Sequence, residues 1–486
     1  MSEAASKSGS AGGAGGLLKV LGRGDVLALA FGAMIGFGWI VLTGDFINAA
    51  GSAGAALAFV IGGVVIAFVG FTYAELVSAM PHAGGEHHYA LRALGGHGAF
   101  VASWAMVLGY VSVVAFEAVA VPQTVLYLFP DMGAGRLWTV AGYDVQASLV
   151  ALGVLAAAVI TWLNYMGIRP ASVFQTVAVL FLLAAGAVMV VGAFAGGSVQ
   201  NMEPLFTGGP SGIFVVLVAV PFLFVGFDVI PQSAGEVKIP YRQVGTLLVV
   251  SVACAAGWYV LIMLTAGAGL DAEGLAGAEL ASADAMAAMW DSGAMGNVLV
   301  LGGIAGLLTS WNAFLIGGSR LLYAMAESRM IPRWFAKVHP KYRTPSNAVL
   351  FIGALSLLAP LFGEAMLGWL VNAGGLNIVV AYAVVALSFL LLRRREPGME
   401  RPFRAPAGPF VGWTALLLSL GLLVLYLPGM PAALSWPWEW TMVGAWWLLG
   451  AVFMARMPRT APGADAERRL IAAVEARGRE RGRGRG

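Results

Sequence analysis

Near the centre of its first long apolar segment the chain reads Gly32-Ala33-Met34-Ile35-Gly36-Phe37-Gly38. Each glycine costs a helix about 1 kcal/mol relative to alanine, so three in seven residues favour an interruption. Inside a bilayer, a freed backbone group costs several kcal/mol unless it is buried in protein or lines a cavity. The stretch therefore indicates either very close packing or a binding site.

Composition places the chain among helical membrane proteins. Of its 486 residues, 59% are hydrophobic and 11% are charged, and the mean hydropathy is +0.83. A soluble domain carries roughly 25% charged residues. Cys254 is the only cysteine, which excludes a disulfide within the chain. Residues 1–16 lack an apolar core, so we expect no cleavable signal peptide.

Apolar runs of about 20 residues, the length that spans a bilayer, predict twelve membrane segments, numbered here 1 to 12. With the N-terminus inside, only Arg136 among the basic residues of the loops falls outside, as the positive-inside rule requires. We therefore expect an inner-membrane protein with both termini in the cytoplasm. In chain order the segments are about 25–47, 55–80, 98–129, 145–166, 171–195, 211–234, 243–268, 296–326, 346–362, 366–392, 409–428 and 437–456.

The regions outside these segments have simpler compositions. We expect residues 1–20 to be a disordered tail, residues 21–456 to be one domain of twelve membrane segments, and residues 457–486 to be a basic tail with a short amphipathic helix at 463–478. Basic residues near a membrane attract anionic lipids, so no nucleic-acid partner is expected. The acidic loop 269–295 predicts an external segment with a surface helix.

Segment 6 contains a second interruption. It reads Val220-Pro221-Phe222-Leu223-Phe224-Val225-Gly226-Phe227-Asp228, again a broken apolar helix, with a carboxylate beside the glycine. Interruptions five segments apart are typical of an inverted repeat of segments 1–5 and 6–10. Amides at the start of a half-helix favour an anion, and carbonyls at the end of one favour a cation. The pair suits a substrate that carries both charges, although glycines in membrane helices also serve packing alone.

No phosphate-binding loop of the Walker type, metalloprotease motif or serine-hydrolase motif is present in the sequence. These absences argue against an ATP-driven pump and against those enzymes, and we expect no cofactor. A receptor that keeps the fold, or an intramembrane enzyme, has no positive signal in the sequence but stays open.

Several stretches between residue 24 and about residue 400 follow a familiar order. They resemble the amino acid-polyamine-organocation (APC) permeases, most closely the cationic amino acid transporter branch. The resemblance implies an all-α membrane protein of LeuT-like fold, with a 5+5 inverted repeat and two further C-terminal helices, and coupled or exchange transport of amino acids or amines. The stretches are Gly32 to Gly38; Tyr73-Ala74-Glu75-Leu76 with Met80-Pro81 and Gly84-Gly85; Val225-Gly226-Phe227-Asp228 with Gly235-Glu236 and Pro240; and Arg320-Leu321-Leu322-Tyr323-Ala324-Met325-Ala326 with Ile331-Pro332 and Thr344-Pro345.

Two departures from the family pattern matter. Trp39 stands where many members carry a smaller aliphatic residue, which leaves the pocket shape near segment 1 open. Residues 171–195 of segment 5 contain no Lys or Arg, whereas some members couple transport to protons through a lysine there.

We predict that the substrate binds at mid-membrane between segments 1 and 6. The backbone from Ala33 to Gly38 is expected to receive a carboxylate, while the segment 6 break and Asp228 receive an ammonium group. The full set of predicted substrate-binding residues is Ala33, Met34, Ile35, Gly36, Phe37, Gly38, Trp39, Phe224, Gly226, Phe227 and Asp228.

Charged residues inside the segments are candidates for coupling or gating, because they are costly there. Glu117 and Asp228 are candidates for binding a coupling proton, since burial disfavours a charged carboxylate. Each also has a structural reading, as a protonated hydrogen-bonding group or as a cap on broken backbone. Glu75 and Glu236, near inner helix ends, are candidates for gate contacts with Arg or Lys.

Other polar residues suit structural roles better. Ser310 and Asn312 could hold a cation but equally could bond neighbouring helices. A metal site at His82, His87 and His88 is not expected, because no cysteine or further histidine is close in sequence. The predicted partners are a small amino acid or amine and a proton, bound by a monomer or homodimer. An amine or polyamine permease, or an amino acid exchanger, is the alternative.

Overall fold

The computed structural model describes residues 17–36, 38–430 and 433–483. Helices lie at all twelve predicted positions, with ends that differ from the prediction by a few residues. Ten of the described helical spans are long and apolar enough to cross a membrane, and Ser346–Phe362 is a shorter apolar helix. This establishes a predominantly helical protein with multiple membrane spans.

The helices follow one another along the chain with few other elements. In order they are α1 (Arg23–Met34), α2 (Gly38–Val41), α3 (Thr43–Ala50), α4 (Ser52–Ala79), α5 (Glu86–Leu94), α6 (Gly96–Leu128), α7 (Ala147–Tyr165), α8 (Ile168–Gly196), α9 (Gly209–Phe224), α10 (Val229–Gln232), α11 (Tyr241–Gly269), α12 (Ala272–Gly277), α13 (Ala281–Met289), α14 (Gly293–Glu327), α15 (Ser346–Leu358), α16 (Ala365–Arg395), α17 (Gly408–Leu425), α18 (Trp438–Arg456) and α19 (Ala466–Arg483).

Segments 1 and 6 are the ones built from several pieces. Segment 1 comprises α1, α2 and α3, and segment 6 comprises α9 and α10, while α6, α14 and α16 form segments 3, 8 and 10. Segment 3 is almost entirely buried and packs against segments 8 and 10. Helix association in a bilayer depends on close packing, because lipid is as apolar as a leucine side chain. Segment 3 therefore lies at the centre of the helix bundle.

The end of the bundle at which α1 begins is called here the N-terminal face. The chain before α1 pairs with the chain after α10, because the amides of Val20 and Leu21 donate to the Glu236 carbonyl at 2.9 and 3.0 Å. The amide of Lys238 donates back to the Leu21 carbonyl at 3.0 Å. Helices α5 and α19 lie on the same face, where the amide of Gly463 donates to the Arg92 carbonyl at 2.8 Å.

The loops show what apolar runs cannot predict. An exposed two-stranded hairpin, β1 (Arg136–Val140) and β2 (Tyr143–Gln146), lies between segments 3 and 4 and was not predicted. Its strands of five and four residues mix polar and apolar side chains and are far shorter than a membrane span, so hydropathy does not reveal them. The predicted surface helix in loop 269–295 corresponds to α12, whereas α13 in the same loop is largely buried and was not predicted. The predicted C-terminal amphipathic helix is confirmed as α19.

Candidate functional site

Segment 1 is interrupted where the glycines predict. Helix α1 ends at Met34 and α2 begins at Gly38, while Phe37 lies outside the described residues. Beyond the break the helix continues through α3, because the amides of Leu42 and Phe46 donate four residues back at 3.3 and 3.1 Å. The segment therefore consists of two half-helices that meet at Ile35 and Gly36.

Three side chains donate hydrogen bonds to carbonyls at the break, where the helical amides that would otherwise donate to them are missing. Thr309 Oγ1 donates to the Gly32 carbonyl at 3.0 Å, and the Tyr259 hydroxyl donates to the Met34 carbonyl at 2.9 Å. Trp39 Nε1 donates to the Ile35 carbonyl at 3.1 Å. By contrast, the Gly36 amide has no acceptor among the described residues. The break thus has satisfied carbonyls and a free amide.

Segment 6 breaks between Phe224 and Val229, around Gly226. Gly226 has φ +134°, a conformation that a residue with a Cβ rarely adopts. Its amide donates to Asp228 Oδ1 at 2.7 Å, whereas Asp228 Oδ2 has no described hydrogen-bond partner. Asp228, which is fully buried, therefore stabilises the break with one oxygen and leaves the other available.

The two interruptions touch each other. A Cβ placed on Gly226 would lie 2.6 Å from Ala33 Cβ and 3.0 Å from the Met34 nitrogen, distances that real Cβ atoms essentially never show. Glycine at this position is what allows the two broken helices to meet. The structure thus brings together the two interruptions that the sequence analysis grouped because they lie five segments apart.

Glu117 lies beside the segment 1 break. Its Oε1 accepts a hydrogen bond from Ser310 Oγ of segment 8, and its Oε2 has no described partner. A Cβ on Gly36 would meet Glu117 Oε1 at 3.2 Å and Ser310 Cβ at 2.6 Å. A fully buried carboxylate therefore faces the Gly36 backbone directly.

The three predicted aromatic residues that the structure describes, Trp39, Phe224 and Phe227, are buried near the breaks but differ in what they contact. The Trp39 ring packs edge-on against Trp258 at 5.5 Å, and Phe224 stacks on Tyr259 at 5.5 Å. Phe227 instead faces Tyr73 and Tyr382 at 5.4 and 5.5 Å. Trp39 and Phe224 thus support the broken backbone, and Phe227 points into a group of tyrosines.

Glu236 and Glu75 lie away from the breaks, at the N-terminal face. Each contacts arginine, as predicted: Glu236 pairs with the buried Arg320, with Nε–Oε2 at 2.8 Å. Glu75 pairs with Arg393, at 2.8 Å from its Nε, and with Arg401 at 3.0 Å. These ion pairs hold segment ends together at the N-terminal face.

Asn312 takes part in bonds between helices. Its Nδ2 donates to Gln175 Oε1 at 2.8 Å and to the Ala171 carbonyl at 3.1 Å, and its Oδ1 accepts from Asn164 at 2.9 Å. Gln175, which also donates to the Ala28 carbonyl at 3.3 Å, was missed at the sequence level. It is the only amide side chain of segment 5, which is the signal that would have singled it out.

The histidines after segment 2 gain a neighbour from the far end of the chain. His88 Nδ1 lies 3.7 Å from Glu467 of α19, and ligand atoms of His87, His88 and Glu467 lie within 4.8 Å of one another. The fold thus brings a carboxylate from α19 close to histidines that are far from it in sequence, a contact that the sequence does not reveal. Both nitrogens of His87 already contact serine hydroxyls, those of Ser103 at 3.2 Å and Ser328 at 2.8 Å.

Comparisons with known proteins identify the family of the chain. The sequence profile of a family described as amino acid permease matches residues 21–453. The chain is 28% identical to the branched-chain amino acid permease BcaP of Bacillus subtilis (strain 168), over 84% of this chain and 88% of that protein. It is 26% identical to the aspartate-proton symporter of the same organism, over 88% of each chain. It is also 26% identical to cationic amino acid transporter 7, chloroplastic, of Arabidopsis thaliana, over 87% of this chain and 72% of that protein.

Proposed function

The chain belongs to the amino acid permease family within the APC superfamily, and from this premise we propose that it is a proton-coupled secondary transporter of a small amino acid. Its family and relatives are transporters and not enzymes. The proposed path crosses the cytoplasmic membrane through residues 21–456, arranged as twelve segments in a LeuT-like fold. The substrate binds where segments 1 and 6 are broken.

The observation that carries this proposal is the contact between the two breaks. Gly226 packs against Ala33 and Met34, and each break has a buried carboxylate beside it with one unpaired oxygen, Glu117 Oε2 and Asp228 Oδ2. Keeping a carboxylate charged in a buried site without a cationic partner costs free energy, unless a cation or a proton binds there. The site is therefore suited to bind positive charge at mid-membrane.

The orientation of the substrate follows from which backbone groups are free. The Gly36 amide has no described acceptor, so it is available to a substrate carboxylate. Asp228 Oδ2, on the segment 6 side, is available to the ammonium group. Since α-amino acids carry both groups on one carbon, a single substrate molecule bridges the two breaks.

Protons are favoured over sodium as the coupling ion. The junction of segments 1 and 8, where a cation would need free oxygens, has its Gly32 carbonyl bonded to Thr309 and its Asn312 bonded to segments 4 and 5. Glu117 and Asp228 form no ion pair with any described residue, and therefore are free to bind a proton. The similarity to an aspartate-proton symporter agrees with this choice.

Uptake into proteoliposomes tests the proposal. An inward proton gradient should drive accumulation of an amino acid from a panel of neutral amino acids, cationic amino acids, ethanolamine and putrescine, and a sodium gradient should not. Truncating one partner of a buried charge pair costs about 2–5 kcal/mol, so Asp228→Asn should weaken apparent affinity about 30-fold or more. Sodium-dependent uptake that ignores pH would refute the coupling, and preferential uptake of putrescine would favour a polyamine permease.

The proposed orientation places both ends of the chain in the cytoplasm. Arg136 in the β-hairpin is the only basic residue among those described at the face opposite to the N-terminal face. In a Cys254→Ser background, which leaves no cysteine, Thr139→Cys should react with an impermeant maleimide in intact cells. Lys341→Cys should react only after permeabilisation; the reverse pattern would invert the topology.

A further inference from the structure

Seven buried polar atoms without a described hydrogen-bond partner lie between the segment 6 break and α5. Their side chains are each at most 1% exposed. Buried polar groups are normally paired, so such a concentration points to a ligand. We call this group the tyrosine–carboxylate cluster; its atoms are the hydroxyls of Tyr73, Tyr89, Tyr110 and Tyr382, Oε1 of Glu86, Oδ2 of Asp228 and Oε1 of Gln232.

The cluster is continuous. Tyr73 contacts Tyr89 and Tyr382, with ring centroids 6.4 and 5.9 Å apart, and Gln232 Nε2 donates to Glu86 Oε2 at 2.5 Å. The Asp228 charge acts on Glu86 and on the tyrosines of segments 2, 3 and 10. Segments 2, 3, 6 and 10 and α5 therefore all contribute to one polar region.

Its two carboxylates have no cationic partner among the described residues, unlike Glu75 and Glu236 at the same end of the bundle. Two neighbouring buried carboxylates do not both ionise easily, and one proton shared between them relieves the repulsion. Burial, and next the charge of Asp228, raises the pKa of Glu86 well above its usual range. The surroundings of Glu86 therefore favour its protonated form.

Glu86 and Asp228 lie at different depths in the bundle, and their placement gives a direction to proton transfer between them. The Gly84 amide donates to the Gln232 carbonyl at 3.1 Å, and a Cβ on Gly85 would lie 2.7 Å from Pro231 Cβ. The start of α5 is therefore pressed onto the end of segment 6. Asp228 and Gln232 are four residues apart, about 6 Å along a helix, so Glu86 lies nearer to the N-terminal face than Asp228 does.

The other side of α5 carries charges of its own, which do not enter the cluster. His87 contacts Ser103 and Ser328, and His88 faces Glu467. Arg92 pairs with Glu396 at 2.5 Å. These groups form a separate set on the N-terminal face, in which His87 is fully buried and Arg92 and Glu396 are half-buried.

We propose that Asp228 and Glu86 form one shared proton-binding site through which the coupling proton passes between the segment 6 break and the N-terminal face. This rests on the proposed function, in which a proton drives transport. A proton leaves the Asp228 carboxyl and binds Glu86 Oε1, directly or through a tyrosine hydroxyl that accepts one proton as it releases its own. The pair keeps one negative charge throughout, and the proton follows a path separate from the substrate's amide contact at Gly36.

Infrared difference spectroscopy of the purified full-length protein tests the pair without requiring transport. Between acidic and alkaline pH, the carboxylic-acid carbonyl band should contain a component that disappears in Glu86→Gln. In Asp228→Asn the remaining Glu86 component should titrate at lower pH, because the neighbouring negative charge is gone. An unchanged band in Glu86→Gln, or a Glu86 component that ignores Asp228→Asn, would overturn the proposal.

Transport then separates this inference from the proposed function. In Glu86→Gln, uptake driven by a proton gradient should fall about tenfold, and substrate exchange without a gradient should fall less. Glu86→Asp should restore part of the proton-driven uptake, and the exposed, unpaired Glu400→Gln should match wild type. If wild type shows proton-driven uptake and Glu86→Gln shows the same uptake, the shared proton-binding site is refuted and the proposed function is not. Its absence in wild type refutes the proposed function, while the infrared result still decides whether the shared site exists.

Discussion

The Arg320 guanidinium donates hydrogen bonds of 2.8 and 3.1 Å to the two carboxylate oxygens of Glu236, and neither side chain is more than 1% exposed. The pair joins segment 8 to the end of segment 6. The planar guanidinium matches a carboxylate in this two-bond geometry. A buried ion pair needs such close geometry, because the attraction between the two charges must offset the cost of removing both from water.

Removing one member of this pair should destabilise the protein. Breaking a buried ion pair costs about 3–5 kcal/mol, because the remaining charge stays buried alone. We expect Arg320→Met to lower the thermal unfolding midpoint sharply, and Arg320→Lys to do so less. The exposed Arg136–Asp144 pair, 3.0 Å apart, provides the control, since Arg136→Met should change stability by less than about 1 kcal/mol. Equal effects of the two methionine variants would contradict the prediction.

Glycine at position 226 should be essential. Gly226→Ala must place a Cβ 2.6 Å from Ala33 Cβ in a backbone of φ +134°, which we expect to cost about 2–5 kcal/mol in overpacking and strain. Gly257→Ala, in α11 with nothing within 4 Å of its Cβ, should be neutral or stabilising by up to about 1 kcal/mol. Both variants are compared with wild type by thermal unfolding and by substrate binding. If Gly226→Ala matches wild type in both, the breaks do not pack as described.

We expect Glu117 to be required for proton-driven uptake because it can bind a proton, and not because of the shape of its side chain. Glu117→Gln keeps an oxygen that can accept from Ser310, yet it cannot ionise. We expect proton-driven uptake to fall about tenfold, and Ser310→Ala, which removes one hydrogen bond of about 1 kcal/mol, to have a smaller effect. The exposed Glu273→Gln is the control. Full proton-driven uptake in Glu117→Gln would leave Asp228 as the coupling carboxylate.

Acid should loosen the N-terminal face through His87. Burial, and next the neighbouring His88, lowers the pKa of His87 well below its usual 6.5. Unfolded His87 therefore binds a proton as the pH falls below 6.5 while folded His87 does not, and stability falls by up to about 1.4 kcal/mol per pH unit. His87→Gln should flatten this decline between pH 7 and pH 5 relative to wild type, whereas the exposed His82→Gln should not. Parallel declines in all three proteins would contradict the assignment.

Periodicity and hydropathy predict the helices well because each membrane segment must satisfy its own backbone bonds. The segment 1 and segment 6 breaks were predicted from glycines for the same reason, and the contact observed between them agrees with the proposed inverted repeat. Ion pairs of Glu75 and Glu236 with arginine were also predicted, since charges near helix ends need partners. These features depend on local sequence and on the membrane alone.

Long-range packing produced what sequence reasoning missed. Glu86 follows two glycines and precedes two histidines, a pattern typical of a solvated loop, yet α5 folds beneath segment 6 and buries it completely. Tyr259 donates to the Met34 carbonyl across 225 residues of chain, and no local pattern predicts such a contact. Glu467 reaches His88 only because α19 returns to α5. Each of these depends on which surfaces meet in three dimensions.

The pairing of residues 20–21 with residues 236–238 uses main-chain atoms alone, through three hydrogen bonds. Substitutions other than proline leave these bonds in place, so the ends of segments 1 and 6 at the N-terminal face stay joined through the main chain whatever side chains they carry. The Arg320–Glu236 ion pair adds segment 8 to the same connection. We therefore expect a displacement of one of these three segment ends to carry the other two with it.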